Sequence, residues 1–136
     1  MATKLNPYLR FKDDARDAME LYKSVFGGEL TVWTFGDLGS EGDIATLVMH
    51  ASLVTPSGYT LFASDTPPGM ETTPGTNIVV SLSGPAEDAA ELRGYWEALA
   101  ADGTVHVPLE KQVWGDFYGQ LVDSYGVAWM VNIGQD

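Results

Sequence analysis

Two imidazoles, a set of aromatic side chains and 19 carboxylates are the chemistry this chain carries. His50 and His106 are its only histidines, and it has no cysteine. Thiol catalysis, disulfides and thiolate metal sites are thereby excluded, and the redox compartment stays open. His50 lies in an alternating run with Ile44, Thr46, Val48 and Ser52, which predicts one face of a strand. Two readings of it stand. The imidazole is bonded across a sheet or to a pocket water, or it is a pocket group that binds a polar ligand atom or moves a proton. The second suits a side chain that changes charge near neutral pH. A two-histidine metal site would need a carboxylate or water to complete it. His106 follows the turn after the second predicted helix and reads as surface.

Among the aromatics, Trp114 and Phe117 flank a predicted tight turn at a strand end. There they line either the mouth of a cupped sheet or a dimer seam. Trp96 falls on a helical stripe and reads as core. Asp123, beside Ser124-Tyr125-Gly126, reads as a turn-stabilising acceptor. A nucleotide-type cofactor would want a glycine-rich loop between a strand and a helix. Gly36-x-x-Gly39-x-x-Gly42 follows a strand but precedes no predicted helix, and Gly27-Gly28 ends one. No cofactor is therefore expected, and no Ser-His-Asp arrangement is recognisable. Tyr8, His50, Trp114 and Tyr118 are the residues expected to line a site for a small, partly apolar molecule. No catalytic residue and no metal ligand is assigned.

These residues must be positioned by the elements around them. Residues 6–11 predict a strand, and Asp13 or Asp14 offers a cap for a helix. Apolar positions 15, 18, 19, 22, 25 and 26 give that helix one buried face, and Gly27-Gly28 ends it. Strands follow at 29–35, 44–55 and 59–64, with a loop at 36–43 and a turn at Pro56-Ser57-Gly58. After a Pro, Thr and Gly-rich connector comes a strand at 77–82. A second helix has Pro85 at its first position and apolar residues at 89, 92, 96 and 99. Asp102-Gly103 ends it, and strands at 107–114, 117–123 and 127–133 complete the chain. The order β-α-β-β-β thus occurs twice. We expect one domain, 1–136, of two repeats: 5–64 and 77–134, joined by a connector at 65–76. Gly58 matches Gly126 and Gly28 matches Gly103, which sets His50 opposite Tyr118 and Ala51 opposite Gly119. The expected fold class is α+β.

The bulk numbers suit one domain or two small fused halves. The 136 residues are 45% hydrophobic, enough for a real core. A net charge of −12 disfavours nucleic acid and anionic lipid as partners, since phosphate binding needs clustered Lys and Arg. No apolar run approaches the roughly 20 residues of a membrane helix, and no secretory signal is visible, so a cytoplasmic protein is expected.

Particular residues carry a resemblance to a family. They are Asn6-Pro7-Tyr8-Leu9 with Phe11, Tyr22 with Val25-Phe26-Gly27-Gly28-Glu29, Met49-His50-Ala51 and Ser64-Asp65. They continue with Pro108-Leu109, Trp114-Gly115, Phe117 with Gly119, Asp123, and Gly126 with Trp129-Met130-Val131-Asn132. In these the chain resembles the vicinal oxygen chelate superfamily of glyoxalase I, bleomycin-resistance proteins and extradiol dioxygenases. Within it, the chain is similar to the PhnB-like branch, labelled 3-demethylubiquinone-9 3-methyltransferase-like. The resemblance implies two βαβββ half-barrels, a ligand or metal on their concave faces, and a homodimer. It also implies metal ligands on the first and fourth strands of each module. The fourth-strand places fall here on Phe62 and Met130, and the first strands offer Asn6, Tyr8 and Arg10, or Asn77 and Ser81. That set departs from a divalent-metal pattern. The expected function is therefore metal-independent binding of a small molecule. The alternatives are a glyoxalase-type lyase or dioxygenase with atypical ligands and, third, the methyltransferase of the label.

Overall fold

The computed structural model describes residues 3–135, which form two compact units divided between Thr73 and Pro74. The class is α+β, and each unit has the order βαβββ. In the first unit β1 (Tyr8–Phe11), α1 (Ala15–Phe26), β2 (Glu29–Thr34), β3 (Val48–Val54) and β4 (Thr60–Asp65) follow one another. Their sheet has the order β1-β4-β3-β2, with β1 parallel to β4 and the other pairs antiparallel. In the second unit come β5 (Val80–Gly84), α2 (Ala89–Ala100), β6 (Thr104–Lys111), β7 (Phe117–Val122) and β8 (Ala128–Ile133). That sheet repeats the plan as β5-β8-β7-β6. Among the described residues, no helix is long and apolar enough to cross a membrane.

The helix periodicity predicts the core of the first unit. Ala15, Ala18, Met19, Tyr22 and Phe26 are all buried on one side of α1. They pack on Val48, Ala51 and Leu53 of β3 and on Leu61 and Ala63 of β4, which are buried as well. Asp65 fixes the start of this layer. Its Oδ1 accepts the Ala15 N–H at 2.9 Å and its Oδ2 the Val48 N–H at 2.8 Å. In the second unit Trp129 is buried and donates its indole N–H to Asp123 Oδ2 at 2.8 Å. Asp123 Oδ1 accepts the backbone N–H groups of Tyr125 and Val127, so one carboxylate holds both the turn and the core tryptophan.

Four expected elements are corrected. The strand placed at 44–55 begins only at Val48, because Gly42–Thr46 is a 3-10 turn whose Leu47 carbonyl accepts the Phe35 N–H. A bulge between Trp33 and Thr34 then breaks the expected alternation, so Val48 turns to the helix while His50 does not. The strand placed at 77–82 is Val80–Gly84, and Ile78 before it is exposed. The strand placed at 107–114 is Thr104–Lys111, which leaves Trp114 inside the turn. In α2 the buried residues are Leu92, Tyr95 and Leu99, while Trp96 is half-buried and lies where a Cβ on Gly119 would collide with it. Pro85 precedes a short 3-10 turn, Ala86–Asp88, rather than α2 itself.

The loop after β2 carries a reciprocal pair. Thr34 donates its N–H to Asp37 Oδ2 at 2.9 Å, and Asp37 donates its N–H to the Thr34 hydroxyl at 3.1 Å. The Thr34 backbone N–H, helped by its hydroxyl, holds the Asp37 carboxyl below the ordinary carboxylate value. A depressed folded value means that the unfolded chain binds the proton more readily. The stabilisation is therefore present above the ordinary carboxylate range and lost as pH falls through the folded value. Carboxyl-detected NMR titration should place Asp37 below an unperturbed Asp, and Thr34→Val should return it toward normal. Asp14 runs the other way, because burial raises its carboxyl.

Candidate functional site

In the first unit the candidate residues lie on the sheet face turned away from α1. Tyr8 pairs with Phe62 across the parallel β1–β4 ladder, and His50 pairs with Trp33 across β2–β3. Tyr8 Oη and His50 Nδ1 are 3.1 Å apart. The phenol donates to Nδ1 if the ring proton is on Nε2, and accepts from Nδ1–H in the other tautomer. The His50 ring lies 5.1 Å from that of Phe62 and 5.6 Å from that of Tyr8, and Tyr8 lies 6.0 Å from Phe62. Tyr8 and Trp33 are about half exposed, at 46% and 51%. The cluster therefore combines apolar ring surface with a paired phenol and imidazole, suited to a ligand with an apolar body and one polar tip. The sequence reading leaves Trp33 without a role. Its signal was available in the alternation of β2, whose residues 29, 31 and 33 are the exposed ones.

The second unit builds its own pair. Trp114 and Tyr118 have ring centroids 6.3 Å apart at 58°, and the Tyr118 hydroxyl donates to Met130 Sδ at 4.0 Å. Trp114 is 56% exposed, and its carbonyl accepts from Gln135 Nε2 at 3.2 Å. Asn132 Nδ2 donates to Asp116 Oδ2 at 3.0 Å, which ties the β6–β7 turn to β8. The four expected residues thus come together as two pairs, Tyr8 with His50 and Trp114 with Tyr118, each inside one unit. His106 is exposed on β6 and joins neither.

The ladders show why the pairs correspond. Ala51 faces Ala63 in the first sheet and Gly119 faces Val131 in the second, so His50 and Tyr118 hold the same place. Tyr8 faces Phe62 where Ser81 faces Met130. The fourth-strand position at which the resemblance implies a metal ligand is occupied by a phenyl ring in one unit and a thioether in the other. Neither offers oxygen or nitrogen to a hard or borderline cation, so the donor set does not fit the divalent site that the resemblance implies. Among the described residues, no group of three or more His, Asp or Glu is placed to hold a metal ion.

Comparison with known proteins follows this geometry. Residues 3–132 match the family described as 3-demethylubiquinone-9 3-methyltransferase. The chain is similar to the crystal structure of protein PA1353 from Pseudomonas aeruginosa, at 35% identity and a TM-score of 0.86, covering 99% of this chain and 100% of that one. It is also similar to a Bacillus cereus PhnB protein, a putative 3-demethylubiquinone-9 3-methyltransferase, at 25% identity and a TM-score of 0.71, covering 97% and 100%. A glyoxylase/bleomycin resistance protein/dioxygenase domain from Frankia sp. EAN1pec shares the fold at 17% identity and a TM-score of 0.66, covering 100% and 95%.

Proposed function

The chain belongs to the 3-demethylubiquinone-9 3-methyltransferase (PhnB-like) family of the glyoxalase/bleomycin resistance superfamily, and on that premise we propose that it binds a small, partly apolar molecule without a metal. The observation that carries this reading is the Tyr8–His50 hydrogen bond beside the Phe62 ring, on a sheet face that α1 does not cover. With Nδ1 engaged by Tyr8, Nε2 is the imidazole atom that meets the polar tip of a ligand. Trp114 and Tyr118 give the second unit a matching aromatic surface. A homodimer and a cytoplasmic setting belong to the same reading, with the exposed Trp33 and Trp114 supplying apolar surface for a partner copy.

A fragment screen followed by amide NMR tests it. Hits should perturb β1 and β3 in the first unit or the Tyr118 region in the second, and His50→Ala should weaken those on the first unit about tenfold, the worth of one lost polar contact in a desolvated site. Hits clustered away from Tyr8, His50, Trp114 and Tyr118 would overturn the site. Elemental analysis of protein purified without chelator should find no stoichiometric metal. Near-stoichiometric zinc, nickel, iron or manganese that disappears in His50→Ala would favour the lyase or dioxygenase alternative. Micromolar heat with S-adenosylmethionine would favour a methyltransferase.

A further inference from the structure

The sequence from 74 to 136 contains only two Lys or Arg residues, Arg93 and Lys111. Both line the same cavity, of about 380 Å³, with Ala86, Ala89, Phe117 and Ile133. The cavity lies on the helix side of the second sheet. Lys111 faces Phe117 across β6–β7, and Phe117 faces Ile133 across β7–β8, so the three form one row on that side. Tyr118, next along β7, points to the opposite face. The cavity therefore lies across the sheet from the Tyr118 ring, and at its rim it meets Gly115 and Gln135, the side chain that bonds the Trp114 carbonyl. Arg93, one turn after Ala89 on α2, lays its guanidinium 4.8 Å from the Phe117 ring centroid. That stacking fixes the group in place while its N–H edge stays available to an acceptor.

The repeat supplies a second, independent observation. Asp65 ends β4 opposite Phe11, and Ile133 ends β8 opposite Gly84, so the two hold equivalent places. In the first unit the Asp65 carboxylate is the internal anion there, bound by Ala15 N–H and Val48 N–H. In the second unit that place is a hydrocarbon side chain on the wall of a cavity that carries two cations.

We propose that this cavity binds a small organic oxyanion, a carboxylate or phosphate carried on an apolar body. The oxyanion lies between the Arg93 guanidinium and the Lys111 ammonium, and the body lies against Phe117 and Ile133. Calorimetry on the full chain with benzoate and phenyl phosphate tests it, with benzyl alcohol as the neutral control. Both anions should bind more tightly than the alcohol, and less tightly as salt rises, since Lys111 is exposed to screening. Arg93→Gln and Lys111→Gln should each weaken binding by about fivefold, as expected for one charge-assisted contact at a partly solvated site. Tighter binding of phenyl phosphate than of benzoate would assign the phosphate, and the reverse the carboxylate. Equal affinity for benzyl alcohol, or anion binding unchanged in Lys111→Gln, would overturn the proposal. Lys111 is an exposed side chain, so that variant folds even if Arg93→Gln does not. His50→Ala should leave this binding intact, which separates it from the site on the other face.

Discussion

Asp65→Ala is expected to lower the thermal midpoint by about 12 °C, roughly 3 kcal/mol at about 4 °C per kcal/mol for a chain of this size. Asp65 is 4% exposed, and its two oxygens take the N–H groups of Ala15 and Val48. Removing the carboxylate leaves both donors in a dry layer, each costing about 1–3 kcal/mol without a partner. It also frees the first turn of α1 from the start of β3, which lie far apart in the chain. Asp65→Asn should be intermediate, because the amide oxygen keeps one bond while its NH2 meets the other N–H donor to donor. Differential scanning calorimetry gives the magnitude. Hydrogen exchange gives the location, since the Ala15 and Val48 amides should lose protection first. Unchanged protection at both amides would show that the carboxylate does not hold them.

The contrast between Asp65 and Ile133 also shows what a linear reading could and could not reach. Helix α1 was legible because its buried stripe is amphipathic and ends in glycine. The third and fourth strands of each module were legible as elements because Gly58 and Gly126 bring the two halves into register, although the third strand of the first module begins at Val48 and not at 44. Tyr8 and His50 could be singled out by type, but their hydrogen bond depends on two ladders, one parallel through β4 and one antiparallel through β3. No local pattern encodes that. The bulge at Trp33 and Thr34 inverted the expected alternation around Val48, because one extra residue swaps every following side chain between faces. Trp96 stands on the helical stripe yet is only half-buried, and its ring lies against Gly119 on a strand more than twenty residues later, a contact that no helical spacing encodes. The Arg93–Lys111 cavity joins α2, β6, β7 and β8, and nothing in the spacing of those residues announces it.

Gly28→Ala should be more damaging still, at about 4 kcal/mol, because two penalties coincide at one residue. Its φ is +105°, a backbone conformation that side chains with a Cβ rarely adopt. A Cβ there would also lie 2.1 Å from the Val54 carbonyl oxygen and 2.8 Å from Thr55 Cα. Both are backbone atoms at the end of β3, so no rotamer change relieves the collision. The cause is topological. The chain leaving α1 must pass directly against the end of β3 before Glu29 can pair with Val54. The second unit meets the same demand in the same way. A Cβ on Gly103 would lie 2.5 Å from the Val122 carbonyl oxygen and 3.1 Å from Asp123 Cα. Val122 and Asp123 end β7 as Val54 and Thr55 end β3. Gly103→Ala should therefore also destabilise, by about 3 kcal/mol from the close approach alone. Gly94→Ala is the control, since nothing lies within 4 Å of its added Cβ and alanine favours the helix, so it should be neutral or stabilising by about 1 kcal/mol. Urea denaturation of the three variants checks the order. If Gly28→Ala and Gly94→Ala unfold at the same midpoint, the close passage of the chain over the strand end is not what selects glycine there.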